Sequence, residues 1–170
     1  MSFKLQEFLC TFVENFENTD SHPPIIIAKV DGEYNLLPVD IAMSYFESRK
    51  GKLTLNKKLQ EIVKKGKPEQ MIMLLDVWSA TANSEKEKEE ILKNGVSGLA
   101  EKTEALVLYI ETPEYVKDVI YDLVYDTDKK TREIDFSSKR SETMKRGSEK
   151  FVEQMKNRTL GNFYKYYEKE

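Results

Sequence analysis

The chain of 170 residues is poor in the residues that carry most protein chemistry, with one cysteine, Cys10, and one histidine, His22. A single cysteine rules out an intramolecular disulfide and points to a reducing compartment. One His and one Cys are too few for a structural zinc site. A Ser–His or Cys–His triad needs a base, and His22 stands beside Pro23-Pro24 in a loop pattern, so no catalysis is expected there. Cys10 projects off the apolar stripe of its segment, and no sequence neighbour would lower its pKa, so a reactive thiol is not expected. Phosphate-cradling loops are missing too: no G-x-x-x-x-G-K-[ST] or G-x-G-x-x-G occurs, and Gly51-Lys52 lacks the upstream glycine. No apolar run approaches the ~18 residues of a membrane span, so no membrane partner is expected. The start, MSFKLQEFL, does not read as a signal peptide. Asn157-Arg158-Thr159 matches a glycosylation sequon, but without secretion signals the match is read as chance. The expected location is cytoplasmic, or host cytoplasm for a viral protein.

What is present is a run of strand signals. MIMLLDVW (71–78), EALVLYIE (104–111), VIYDLVYD (119–126) and the shorter REIDF (132–136) follow one another, separated by polar turns. The first is apolar at both alternations, as a central strand covered on two sides requires, with Asp76 the exception. Upstream, IIIAKV and EYNLLPV flank Asp31-Gly32, a pair that tolerates positive φ and marks a hairpin over 25–39. Sequential strands tend to be neighbours, so 71–137 reads as a meander. Aromatics at 11% supply core-forming area, while charged residues reach 34%.

Helical periodicity appears at residues 3–17, where Leu5, Phe8, Leu9, Phe12, Val13 and Phe16 form one stripe. The bland reading is a helix packed on the sheet; the sharper one is a groove-binding or dimer helix. Asp40 is expected to cap a helix ending near Arg49, broken by Gly51; Asn56 is expected to cap another to about Lys65, closed by Gly66 and Pro68. Together they place helices over 41–65. A further helix is expected near 147–158. The connection 80–103 carries SEKEKEEILKNG, a short helix between Ser84 and Gly95, and its length marks it as a mobile insert.

Charge is segregated. Residues 1–48 carry net −6, 49–67 net +7, 68–138 net −8 and 139–170 net +4. The basic block RKGKLTLNKKLQEIVKKGK is either a solvated helix or a phosphate-contacting one. The tail places Arg140, Lys145 and Arg146 near Phe163, Tyr164, Tyr166 and Tyr167, so it either stacks on bases or docks on the sheet. The candidate nucleic-acid contacts are therefore Arg49, Lys50, Lys57, Lys58, Lys64, Lys65, Arg140, Lys145 and Arg146.

The remaining candidates are acids. Asp76, Glu104, Glu111, Asp118 and Asp122 lie on or at the ends of adjacent strands, where two carboxylates can share a proton or a cation. Asp76, Glu104 and Asp122 form the candidate acidic cluster, with Lys102 or Arg132 as partner for Asp76. A structural ion pair is preferred over an acid/base pair. Asp126 and Asp128 form a D-x-D in a turn, where Asp is common for backbone reasons, so no metal and no cofactor are expected.

LLDVWSA, the polar stretch 82–101 and Lys102-Thr103-Glu104-Ala105-Leu106-Val107 together resemble a loose group of short uncharacterised phage and prokaryotic proteins. In that group a strand ending in acid-x-Trp precedes a polar insert and a basic-x-Glu-Ala strand. Asp76 stands where Glu is more frequent, and Lys102 where Arg is. The resemblance covers residues 71–132 and implies a fold and a phage or mobile-element setting, with no reaction attached.

The reading is a single α+β domain over 1–170, with an antiparallel sheet of about five or six strands and a basic, aromatic C-terminal segment from 139. Its expected function is non-enzymatic binding or regulation of a host or viral macromolecule, with a protein partner. The alternatives are a nucleic-acid accessory protein and a carboxylate-dependent, metal-assisted hydrolase.

Overall fold

The computed structural model describes residues 2–15, 25–37, 48–79, 84–94, 103–126 and 131–167. Strands β1 (Ser2–Phe3), β2 (Ile25–Val30), β3 (Glu33–Leu36), β4 (Gln70–Ser79), β5 (Thr103–Glu111), β6 (Tyr115–Asp126) and β7 (Thr131–Lys145) form one sheet. Their order is β1-β3-β2-β4-β5-β6-β7. Each neighbouring pair is antiparallel. Helices α1 (Leu5–Asn15), α2 (Arg49–Gly66), α3 (Glu85–Asn94) and α4 (Glu149–Asn157) complete an α+β arrangement, as the strand pattern predicted. The two-residue β1 was not anticipated.

The alternation of side chains divides the core in two. On one face Met71, Met73, Tyr109, Val116 and Met144 meet Leu55, Leu59 and Val63 of α2, Phe151 of α4, and Phe163 and Tyr164 of the chain's end. On the other, Ile72, Leu74, Leu106, Leu108 and Val119 meet Leu9 and Val13 of α1. β4 contributes to both clusters, which explains its unbroken apolar run.

Local chemistry fixes the turns. Asp31 and Gly32 adopt φ of 51° and 80°, as a two-residue hairpin with two positive φ angles demands. The Thr112 hydroxyl accepts from the N–H groups of Glu114 and Tyr115, closing the turn between β5 and β6. Ser84 caps α3 by accepting from Glu87 N–H. Ser148 likewise caps α4 through Phe151 N–H. The rest of the expected mobile insert, residues 80–83 and 95–102, lies outside the described residues.

Four expectations change. Gly51 does not break a helix; it sits in the first turn of α2, donating its N–H to Ser48 Oγ at 3.0 Å. Asn56, expected as a cap, lies inside α2, and its Oδ1 accepts from Gly161 N–H at 3.0 Å. The helix expected from Asp40 to about Arg49 falls largely on residues 40–47, outside the described residues. The left-handed residue closing α2 is Lys67 (φ 44°), whose N–H reaches Val63 O, one position past the expected Gly66. β7 runs to Lys145 rather than ending near Ser137. It is the last strand of the sheet, so its outer positions are polar and hide the period. A register shift opposite Ile120 and Asp122 interrupts its pairing. Ser138 Oγ fills that gap, accepting from Asp122 N–H and donating to Asp135 O.

Candidate functional site

β5 ends on Glu111, a carboxylate with no exposed surface. Alternation puts it beside Tyr109 on the α2 face, under the chain's last segment. Its Oε1 accepts from Tyr109 Oη (2.6 Å) and Phe163 N–H (2.9 Å). Its Oε2 accepts from Arg146 Nη2 (2.6 Å) and Tyr164 N–H (2.7 Å). Four donors on two oxygens fill the acceptor capacity of a carboxylate. The group is a clamp holding residues 161–164 to the sheet, with no lone pair left for a substrate.

The partners are themselves held. Arg146 also donates to Asn162 Oδ1 (2.8 Å) and the Thr112 carbonyl (3.3 Å), and stacks over Phe151 and Tyr164. Tyr109 Oη accepts from Asn162 N–H (3.1 Å), and its ring meets Phe163 edge-on. Burial, then the nearby Glu111 charge, pushes the Tyr109 phenol far above its ordinary pKa, so it stays a donor. Tyr164 is shifted the same way for the same two reasons, and donates to the Pro68 carbonyl at 2.8 Å. Gly161 (φ 128°) passes so close that an added Cβ would lie 3.0 Å from Tyr109 Oη.

The sequence-derived acids do not converge. Glu104 lies on the α1 face in a pair with Arg132. Arg132 is buried, and its Nη2 donates to the Val13 carbonyl at the end of α1 (3.3 Å). Asp122 stands opposite Ala105 on the α2 face, paired with Arg140 at 3.0 Å. Asp76 pairs in register with Leu106; its side chain lies outside the described residues. Arg132, weighed as a partner for Asp76, is engaged by Glu104. Among the described residues, no group of three or more His, Cys, Asp or Glu could hold a metal ion. Asp128 of the D-x-D falls outside them.

Two hollows remain. One of about 450 Å³ has Val107 and Ile120 on its floor. Its charges close in pairs, Arg140 with Asp122, Arg158 with Asp118 (3.3 Å) and Glu142 with Lys150. A smaller one of about 200 Å³ brings Cys10 beside Arg132 and Phe136, a juxtaposition no local sequence could reveal.

The basic candidates separate by location. Arg49, Lys50, Lys57, Lys58, Lys64 and Lys65 are all exposed on α2, opposite the fully buried Leu55, Leu59 and Val63. Lys145 is exposed at the end of β7, while Arg140 is drawn to Asp122. Arg146 is turned inward to Glu111. Of the tail aromatics, Phe163 and Tyr164 are buried on the sheet and cannot stack on bases; Tyr166 is exposed. The role of Glu111 was missed, although an acid two residues after Tyr109 on one strand face, together with an aromatic tail needing an anchor, was a usable signal.

Compared with known proteins, the chain matches no family model, no curated protein and no solved structure.

Proposed function

We propose that the chain is a non-enzymatic cytoplasmic binding protein, phage-encoded in keeping with the resemblance of residues 71–132, which docks a host or viral macromolecule. The observation carrying this reading is the saturation of Glu111: the acid most enclosed in the core has every acceptor position occupied by the protein's own donors. The paired acids follow the same logic, with Glu104 tying β5 to β7 and α1, and Asp122 tying β6 to β7. Among the described residues, α2 faces solvent with one dominant sign. The lone cysteine supports a reducing compartment.

The test is capture from lysate of the native host by immobilised protein. The bound macromolecule is expected to be lost with the variant Lys50→Glu/Lys57→Glu/Lys64→Glu and retained with Glu104→Gln or Asp122→Asn. A turnover abolished by either acid substitution, in protein that remains folded, would contradict the reading.

A further inference from the structure

The charged face of α2 has a geometry that narrows the partner. Lys50, Lys57 and Lys64 recur every seven residues, which at 1.5 Å per residue sets them roughly 10.5 Å apart along nearly one line. Lys58 and Lys65 repeat the spacing in a second row, and all five are exposed. The helix has one acid, Glu61, which pairs with Lys65 at 3.0 Å. Its first turn holds Arg49, Lys50 and Lys52 and no acid. Cations there oppose the helix dipole, where stability alone favours Asp or Glu.

Three observations select among anionic partners. The apolar face of α2 is locked in the core, so the helix has nothing to insert into a membrane surface. The outward face has no aromatic residue and one exposed large apolar residue, Leu53, too little for the anchor of a protein interface. The two side-chain amides of α2 are both used internally, Asn56 toward Gly161 and Gln60 toward the Asn162 carbonyl, so neither is available to read base edges. A regular array of lysines without anchors or amides suits a regular array of phosphates.

We infer that the exposed face of α2 docks the phosphate backbone of duplex nucleic acid, without reading its sequence. The inference rests on the binding function proposed above and names its partner. Apart from Arg49 at its start, α2 presents lysines, point charges rather than the bidentate fork that recognises guanine, so the row of Lys50, Lys57 and Lys64 positions the duplex and does not specify it.

The experiment is fluorescence anisotropy with two labelled DNA duplexes of unrelated sequence, titrated over a range of salt. Both duplexes should bind alike. The logarithm of the affinity should fall against that of salt with a slope near −0.9 per phosphate contacted, so about −3 for Lys50, Lys57 and Lys64. Lys50→Glu/Lys57→Glu/Lys64→Glu, with its fold checked by circular dichroism, should flatten that slope by about 3. Arg140→Glu should leave it unchanged. Absence of binding at low ionic strength, equal binding by the triple variant, or binding to phosphatidylserine vesicles but not DNA would overturn the inference. If the triple variant loses its captured partner while the wild type binds no duplex, the nucleic-acid assignment fails and the binding function stands. A turnover dependent on Glu104 or Asp122 would instead remove the binding function itself.

Discussion

Beneath α2, β5 presents Tyr109 and Glu111; beneath α1, the same strand presents Leu106 and Leu108, with Glu104 at its start. The α1 face is closed by apolar contact and by the Glu104–Arg132 ion pair. The α2 face must also receive residues 158–167, which form neither strand nor helix. Their backbone N–H groups have no ladder to join, and burying them unpaired would be costly. Glu111 accepts two of them, and the Tyr109 hydroxyl a third. Irregular backbone can be buried on a sheet where a strand supplies an acceptor in place of a neighbouring strand.

The sharpest way to break this asymmetry is Glu111→Ala. It leaves Arg146 without its carboxylate and two buried N–H groups without an acceptor, and should lower stability by about 3–5 kcal/mol in urea unfolding. Leu106→Ala attacks the other face through cavity formation, and should cost about 2–5 kcal/mol while leaving the chain's end docked, as read by Tyr fluorescence or proteolysis near 160. Tyr109→Phe removes one donor to Glu111 and the acceptor for Asn162 N–H, at about 1.5–3 kcal/mol.

Alkaline pH sharpens the same contrast. The folded protein holds the Tyr109 and Tyr164 protons that an unfolded chain releases near pH 10.0. Stability is therefore fully present below that value and declines as pH rises beyond it. Melting temperatures recorded upward from neutral pH should fall past that point, and Tyr109→Phe should fall less steeply because one of the two groups is gone. Asp122→Asn breaks an exposed pair and should change stability by about 0–1 kcal/mol, a near-silent control.

Much of the fold was legible in the sequence because it rests on local rules. Asp31-Gly32 permits one kind of hairpin, the double alternation of 71–75 requires two covered faces, and Ser84 and Ser148 are efficient caps. The start of α2 is hidden in the sequence because Gly51 and Asn56 resemble a stop and a cap; Ser48 does the capping, and Asn56 is recruited by Gly161, 105 residues away. β7 was cut short because an edge strand with a register shift loses its alternation in the middle. The candidate acids could be located but not grouped. Glu104 and Asp122 differ in parity across β5 and β6, and parity depends on a register that no single strand contains. The Tyr109–Glu111 pair on one strand face is local, but the other three partners of Glu111 lie 35 to 53 residues away, beyond any sequence window.

The clamp can be tested most directly by amide hydrogen exchange at Phe163 and Tyr164 in wild type and in Glu111→Gln, a substitution that keeps the shape but adds donors where donors already point. Both amides should be protected in the wild type. In the variant they should exchange faster, while β4 and β5 amides keep their protection. Unchanged protection at both positions would contradict the role assigned to Glu111.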